Sequence, residues 1–179
     1  MTPPEPWKKV WTTPGERLIV EARAEDGWTR HRTRSNSHGD GAVAVVSDGA
    51  RVLFIKTPRP AIDHTLWELP RGQADAGDES AHVTAAREVL EETGRLVLGS
   101  RLLGKVWPDS GLSADGVNVV IVDVDPTVKP APAEYSEQRW ITVEGIQVTI
   151  ADGLVRDGIS LAALALAWAK GELGGLRNR

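Results

Sequence analysis

Three glutamates stand out for chemistry. Glu88, Glu91 and Glu92 lie within five residues, directly after Arg87, and seven residues separate Arg87 from an earlier acid, Glu79. On a helix, positions three and four apart share a face, so Glu88 lies beside Glu91 and Glu92. At about 100° per residue, Val83, Ala86, Val89 and Leu90 fall on the opposite side and are expected to pack. Arg87 can pair with Glu91 one turn on. Adjacent carboxylates repel and would destabilise a bare helix. A hard divalent cation takes oxygen ligands and commonly holds phosphates as well, so it would compensate. The plainer reading of the same residues is a solvated acidic helix face.

The spacing adds to this. Gly72, six residues, Glu79, seven residues, then Arg87-Glu88-Val89-Leu90-Glu91-Glu92-Thr93-Gly94 resembles the box of the Nudix hydrolase family, G-x5-E-x7-R-E-U-x-E-E-x-G-U, with U a bulky apolar residue. All the charged positions are present. The loop before the helix carries one extra residue, and Arg95 stands at the last U position. The resemblance extends over roughly Gly41 to Ala169. Arg59-Pro60-Ala61 followed by Trp67-Glu68-Leu69-Pro70-Arg71-Gly72 is similar to the ADP-ribose pyrophosphatase branch of the family, although Ser110 stands where that branch commonly carries a proline.

That resemblance implies an α/β/α sandwich with a mixed central sheet. It implies that Glu88, Glu91, Glu92 and the backbone carbonyl of Arg71 hold a metal ion, and that Arg59 and Glu68 place a substrate diphosphate. Magnesium suits phosphates and small carboxylate sets, and manganese could substitute. A diphosphate bond is kinetically inert because its oxygens repel an attacking hydroxide. A cation would neutralise that charge and orient in-line attack. A further carboxylate must then take the proton from water. The loop Asp125 to Glu137 offers Glu134 and Glu137. In the ADP-ribose branch this loop supplies a catalytic glutamate followed by an aromatic, which Glu134-Tyr135-Ser136-Glu137 matches with Glu134 as the base. Glu137 and the box glutamates, Glu88 first, remain alternatives.

The activity expected is metal-dependent hydrolysis of a nucleoside diphosphate derivative, with ADP-ribose the first choice, giving AMP and ribose 5-phosphate. Other nucleotide sugars, dinucleotides and modified nucleoside triphosphates are rivals. A nucleotide-sensing module that binds without cleaving is a rival of another kind. Such modules usually lose box carboxylates, and here all remain. The isoprenoid diphosphate isomerase of the same fold depends on a cysteine, and this chain has none.

The elements that must position these residues can be read from periodicity. Met1 to Pro14 is proline-rich, with Trp7 and Trp11, and reads as an arm. Arg17 to Ala24 and Trp28 to Arg34 read as strands joined at Asp26-Gly27. The second of these puts Trp28, Arg30, Arg32 and Arg34 on one face. That face either stacks a nucleobase beside phosphate-binding arginines or is a polar outer face with a half-buried tryptophan. A homodimer is expected, with this hairpin reaching the partner's substrate pocket.

Gly41 to Val46 and Arg51 to Lys56 are strands around a tight Asp48-Gly49 turn, and Trp67 to Leu69 is a short strand. Pro70 and Gly72 let the backbone turn and approach a ligand closely. His64 reads as a solvent-exposed loop residue. Leu96 to Trp107, Val117 to Val124 and Trp140 to Val143 follow as strands. Glu144 to Asp157 is a short helix with a turn, and Ile159 to Leu173 a buried terminal helix. The expected organisation is an N-terminal arm and β-hairpin over 1–36, a catalytic domain over 37–174 and a tail over 175–179.

Composition narrows the partners. The 179 residues are 41% hydrophobic and 26% charged, as in a globular domain. A formal net charge of −4 argues against a nucleic-acid footprint. With no cysteine there are no disulfides, thiolate metal sites or cysteine nucleophiles. The longest apolar run, Leu161 to Ala169, is too short for a bilayer. No signal-peptide pattern is present, so the cytoplasm is the expected location.

Overall fold

The computed structural model describes residues 4–174, and these begin with a small antiparallel sheet. Its strands are β1 (Lys8–Thr12), β2 (Leu18–Glu25) and β3 (Trp28–Ser35), in that order across the sheet. Asp26 and Gly27 join β2 to β3 with φ of 49° and 79°. Two positive φ values suit the twist of a hairpin, which is why an Asp-Gly pair sits there. The proline-rich start is more than an arm. Lys8 to Thr12 pair with β2, so the expected hairpin is a three-stranded sheet. Trp7 anchors it, with the guanidinium groups of Arg23 and Arg32 lying 4.6 and 4.4 Å from its ring centroid.

The larger sheet contains β4 (Gly41–Ser47), β5 (Arg51–Arg59), β6 (His64–Glu68), β7 (Arg71–Gly72), β8 (Val97–Val106), β9 (Val117–Val124) and β10 (Gln138–Thr142). Its main path runs β10-β5-β4-β9-β8, with β6 beside β5 and β7 beside β4. β4 and β9 pair in parallel and the other neighbours antiparallel, so the sheet is mixed.

Alternation then sorts the central side chains between two cores. Ala42, Ala44, Val46, Val120 and Val122 meet Ala85 and Val89 of α1 (Ala81–Thr93). Val43, Val45, Val119 and Ile121 face the other way, with Ile146 of α2 (Val143–Ala151) and Ala163, Leu164 and Ala167 of α3 (Gly158–Ala169). β4 is buried on both faces, as a strand in a covered parallel pair must be. The result is the expected α/β/α sandwich.

Several local expectations change. Three residues, Asp48 to Ala50, separate β4 from β5, because the Asp48 carboxylate accepts from the amides of Ala50 (3.1 Å) and Arg51 (2.8 Å). His64 opens β6 instead of lying in a loop, and it is exposed. α3 ends at Ala169, short of Leu173, which nevertheless folds back into the core. The expected tail, 175–179, lies outside the described residues. Among the described residues no helix is long and apolar enough to cross a membrane.

Candidate active site

α1 runs from a Ser80 cap, whose hydroxyl accepts from the Val83 amide, to Gly94, whose φ of 70° ends the helix. Its orientation corrects the expected division of faces. Thr84, Ala85, Val89, Glu92 and Thr93 are buried, whereas Val83 and Leu90 are 43% and 41% exposed. The small Ala85 and Val89 meet the sheet, and this roll carries Glu92 inward. There the Arg71 backbone N–H donates to Glu92 Oε2 at 2.9 Å. Burial pushes the Glu92 carboxyl up to about 8 against the pull of the Arg71 N–H, and the charges of Glu88 and Glu134 add to the rise. Glu88 lies against Gly72, where any Cβ would overlap its carboxylate. Burial raises Glu88 as well, opposed by Arg87. Glu91 stays exposed.

Arg87 organises this face. Its Nη1 lies 2.8 Å from Glu88 and 3.0 Å from Glu91, while Nη2 reaches Asp78 at 3.0 Å and donates to the Gln73 carbonyl at 2.7 Å. Burial alone would lower its pKa, but Asp78 and Glu88 outweigh that and raise it. The early acid of the motif is therefore Asp78, not Glu79. Asp78 is buried against Arg87, and Glu79 is exposed just before the helix cap. The extra loop residue moves Glu79 one step past the guanidinium.

The strand and turn before the helix supply a second network. Arg59 Nε donates to both oxygens of Glu68 at 2.9 and 3.0 Å, and its Nη2 bonds Glu68 too. Glu68 is fully buried. Arg71 Nη2 joins Glu68 at 3.2 Å to Asp157 at 3.3 Å. Asp157 caps α3 by accepting from the Ser160 amide and hydroxyl, both at 2.8 Å, and Ser160 Oγ accepts from the Leu69 amide at 3.0 Å. The terminal helix thus fixes the Leu69 to Arg71 backbone. Sequence reading missed Asp157 and Ser160. The signal was present, since Asp157-Gly-Ile-Ser160 ahead of an apolar run is a helix start.

The loop after β9 closes the site. A helix leaves its last carbonyls without internal partners. Here the amides of Glu134, Tyr135 and Ala131 donate to the carbonyls of Glu91 (2.9 Å), Glu92 (3.4 Å) and Gly94 (2.9 Å), and Gln138 Nε2 reaches the Thr93 carbonyl at 3.0 Å. Glu134 is thereby brought to the glutamate cluster. Burial, then the hydrogen bond and charge of Glu134, push the Tyr135 hydroxyl up to about 12. Glu137 lies elsewhere, 62% exposed and 2.9 Å from Lys56 Nζ.

Trp28 is 71% exposed on the small sheet, and no hydrogen bond or ion pair among the described residues joins that sheet's arginines to the glutamate cluster. Arg32 and Arg34 of its face are held by Glu21, at 2.7 and 2.8 Å.

A cavity of about 240 Å³ opens beside Arg71 and Gly72, walled by Pro108, Asp109, Asp115 and Ile159. Among the described residues no three acidic side chains converge into a ready metal cage. The donors available beside Gly72 are all oxygen, and two of the carboxyls are raised by burial. That chemistry fits a hard cation, which would favour their ionised forms.

Known proteins are similar to this chain in sequence and fold. An ADP-ribose pyrophosphatase of Mycobacterium tuberculosis (strain ATCC 25618 / H37Rv) is 35% identical over 130 residues, 69% of this chain and 63% of that protein. Another from Bacillus subtilis (strain 168) is 29% identical over 116 residues, 64% of this chain and 60% of its own length. The chain thus spans about three-fifths of these two relatives. A CMP-5'-(N-acetyl-N-hydroxy-3-aminopropyl)phosphonate hydrolase of Streptomyces rubellomurinus (strain ATCC 31215) is 28% identical over 94% of this chain and 86% of that one. The crystal structure of an ADP compounds hydrolase superposes with a TM-score of 0.75 over 95% of both chains at 18% identity, which is a likeness of fold. Residues 37–159, from the loop before β4 to the first turn of α3, match the NUDIX domain, and the chain belongs to the Nudix family.

Proposed function

We propose that the protein is a divalent-cation-dependent hydrolase of a nucleoside diphosphate derivative, with ADP-ribose as substrate and AMP and ribose 5-phosphate as products. One observation carries the reading. A buried carboxyl, Glu92, and a half-buried one, Glu88, lie against the Arg71–Gly72 backbone, next to the Arg59–Glu68–Arg71 network and a loop that brings in Glu134. Glu88, Glu91, Glu92 and the Arg71 carbonyl would hold magnesium or manganese. The bound cation supplies charge neutralisation of the diphosphate.

The chain's own groups do the rest. Arg87 aligns Glu88 and Glu91 from one guanidinium. Arg59, held rigid by Glu68, presents its remaining N–H groups to a phosphate oxygen. Glu134 takes the proton from the attacking water, with the Tyr135 hydroxyl fixing its orientation. Gly72 keeps the backbone bare so that the Glu88 carboxylate can lie against it beside the substrate.

A second reading keeps the reaction and changes the nucleoside. The Streptomyces relative that aligns along nearly the whole chain is named for a CMP conjugate, which makes a cytidine derivative the alternative to ADP-ribose. We also propose a homodimer built on the N-terminal sheet, because Val10, Trp11 and Trp28 expose more apolar surface together than a lone monomer usually shows. A monomeric mass at micromolar concentration with full turnover would refute the dimer.

The test of function is a panel of ADP-ribose, other nucleotide sugars, CMP conjugates, dinucleotides and modified nucleoside triphosphates. Each is incubated with magnesium, manganese or excess EDTA. The expected result is AMP from ADP-ribose, abolished by EDTA. Full turnover in EDTA would refute the cation, and tight binding without cleavage would favour a sensing module.

A further inference from the structure

The face of β2 and β3 carries a charge arrangement that the catalytic reading does not use. In the register of the two strands Arg23 lies directly opposite Arg30. Like charges facing across a strand pair are destabilising. Among the described residues only Glu25 answers both, at 3.1 Å from Arg23 and 3.8 Å from Arg30. Beside them, Arg32 and Arg34 share a single Glu21. Four guanidinium groups therefore face two carboxylates. The Nε of Arg23 is buried without an acceptor.

These cations do not simply point to solvent. A separate cavity of about 320 Å³ lies between this face and the loop Ser110 to Ala114, with Arg23, Arg30, His31 and Arg32 in its wall against one carboxylate, Glu25. The loop is fixed in place. The Thr33 amide donates to the Leu112 carbonyl and the Ala114 amide to the Thr33 carbonyl, both at 2.8 Å, and the Ser35 amide donates to Asp115 at 2.7 Å. Trp7 holds Arg23 and Arg32 in position from below. The result is a preorganised cationic recess, and Ser113 lines both it and the catalytic cavity.

We infer that this recess binds a phosphate-bearing anion. A phosphate monoester carries about two negative charges and three acceptor oxygens, which matches an excess of two guanidinium groups approaching from two strands. A single carboxylate would be satisfied by one fork and leave the Arg23–Arg30 opposition in place. The inference does not rest on the hydrolytic reading. The anion has two possible sources, a phosphate-monoester product of the hydrolysis (AMP or ribose 5-phosphate) or a separate phosphorylated effector.

The test is a calorimetric titration of the full chain with inorganic phosphate, against chloride at equal ionic strength. Saturable binding is expected in the wild type. It should weaken by about 10-fold or more in Arg30→Gln and in Arg23→Gln, each removing one charge-assisted fork. Arg30 is the more exposed of the pair, and circular dichroism checks that both variants are folded. Binding should persist in Arg59→Gln and Glu92→Gln, so a failed catalytic reading leaves this result standing. Weaker product inhibition by AMP or ribose 5-phosphate in Arg30→Gln identifies a product as the source, and unchanged inhibition identifies a separate effector. Equal phosphate binding by wild type and both recess variants, or none beyond the chloride control, would overturn the inference.

Discussion

Replacing Glu92 by glutamine should make the cation-free protein more stable at neutral pH while removing its activity. The carboxyl is 6% exposed, has one backbone donor, and titrates at about 8 in the folded chain against an ordinary 4.5. Between those values the folded protein keeps a proton that the unfolded chain has released. The folded state binds more protons there, so the contribution of Glu92 to stability falls as pH rises from about 4.5 to about 8. At about 1.4 kcal/mol per unit, the cost to the wild type is about 3 kcal/mol at pH 7 and reaches a ceiling of roughly 5 kcal/mol above pH 8. Glutamine keeps an oxygen for the Arg71 N–H and carries no charge, so it escapes that cost.

The assay is urea unfolding in EDTA at pH 5, 7 and 8.5, wild type beside Glu92→Gln. The difference should be small at pH 5 and favour the mutant increasingly above it. Magnesium should then stabilise the wild type by mass action and the mutant far less. Turnover of the mutant should drop by at least about 100-fold, since charge is lost where a cation would sit. A mutant less stable than wild type at pH 8.5 in EDTA would refute the burial argument. Equal stabilisation of both by magnesium would refute the role of Glu92 as a ligand.

Three other expectations follow from the same geometry. Glu134→Gln should lower kcat by about 100-fold or more with little change in magnesium activation, whereas Glu137→Gln, on a surface pair with Lys56, should do much less; equal small effects would move the base to Glu88. Asp78→Asn should destabilise the protein on the order of 2 kcal/mol in thermal unfolding by taking the charged partner from Arg87 Nη2, whose Nη1 keeps Glu88 and Glu91, while Glu79→Gln should be near neutral; the reverse ranking would restore Glu79 as the partner. The hydrogen bond from Arg34, aided by Arg32 against burial, holds the Glu21 carboxyl below its ordinary 4.5. The unfolded chain therefore takes up that proton first on acidification, so the stabilisation is complete above pH 4.5 and lost as pH falls through the folded value. The melting temperatures of wild type and Glu21→Gln should converge at low pH, and a gap that persists there would exclude the effect.

The layers of the fold were legible because central strands and caps announce themselves locally. Val117 to Val124 is β-branched almost throughout, Asp26-Gly27 can only be a turn, and Gly94 stops a helix wherever it stands. β1 was not legible. Its residues, Lys8 to Thr12, are exposed or nearly so, and a strand held by backbone pairing and one tryptophan–arginine stack leaves no alternation to read. The three strands of the small sheet show how little a hairpin signal says about a third partner.

The site divides in the same way, between what spacing determines and what rotation determines. Three- and four-residue spacing puts Glu88 beside Glu91 and Glu92, but it does not say which apolar residues of α1 choose its buried face. The sheet beneath presents Ala42, Ala44 and Val120 at close quarters, and Ala85 and Val89 fit that surface. Once they face inward, Glu92 must follow, Val83 and Leu90 are left outside, and a carboxyl is committed to a buried position with a single N–H donor. That commitment is costly for folding without a cation, and it is also what gives the site its electrostatic demand for one. Asp157 adds the remaining constraint from the far end of the sequence. By capping α3 and receiving Arg71, it fixes the turn whose backbone N–H meets Glu92, so the terminal helix reaches Glu92 through two hydrogen-bonded residues, Asp157 and Arg71.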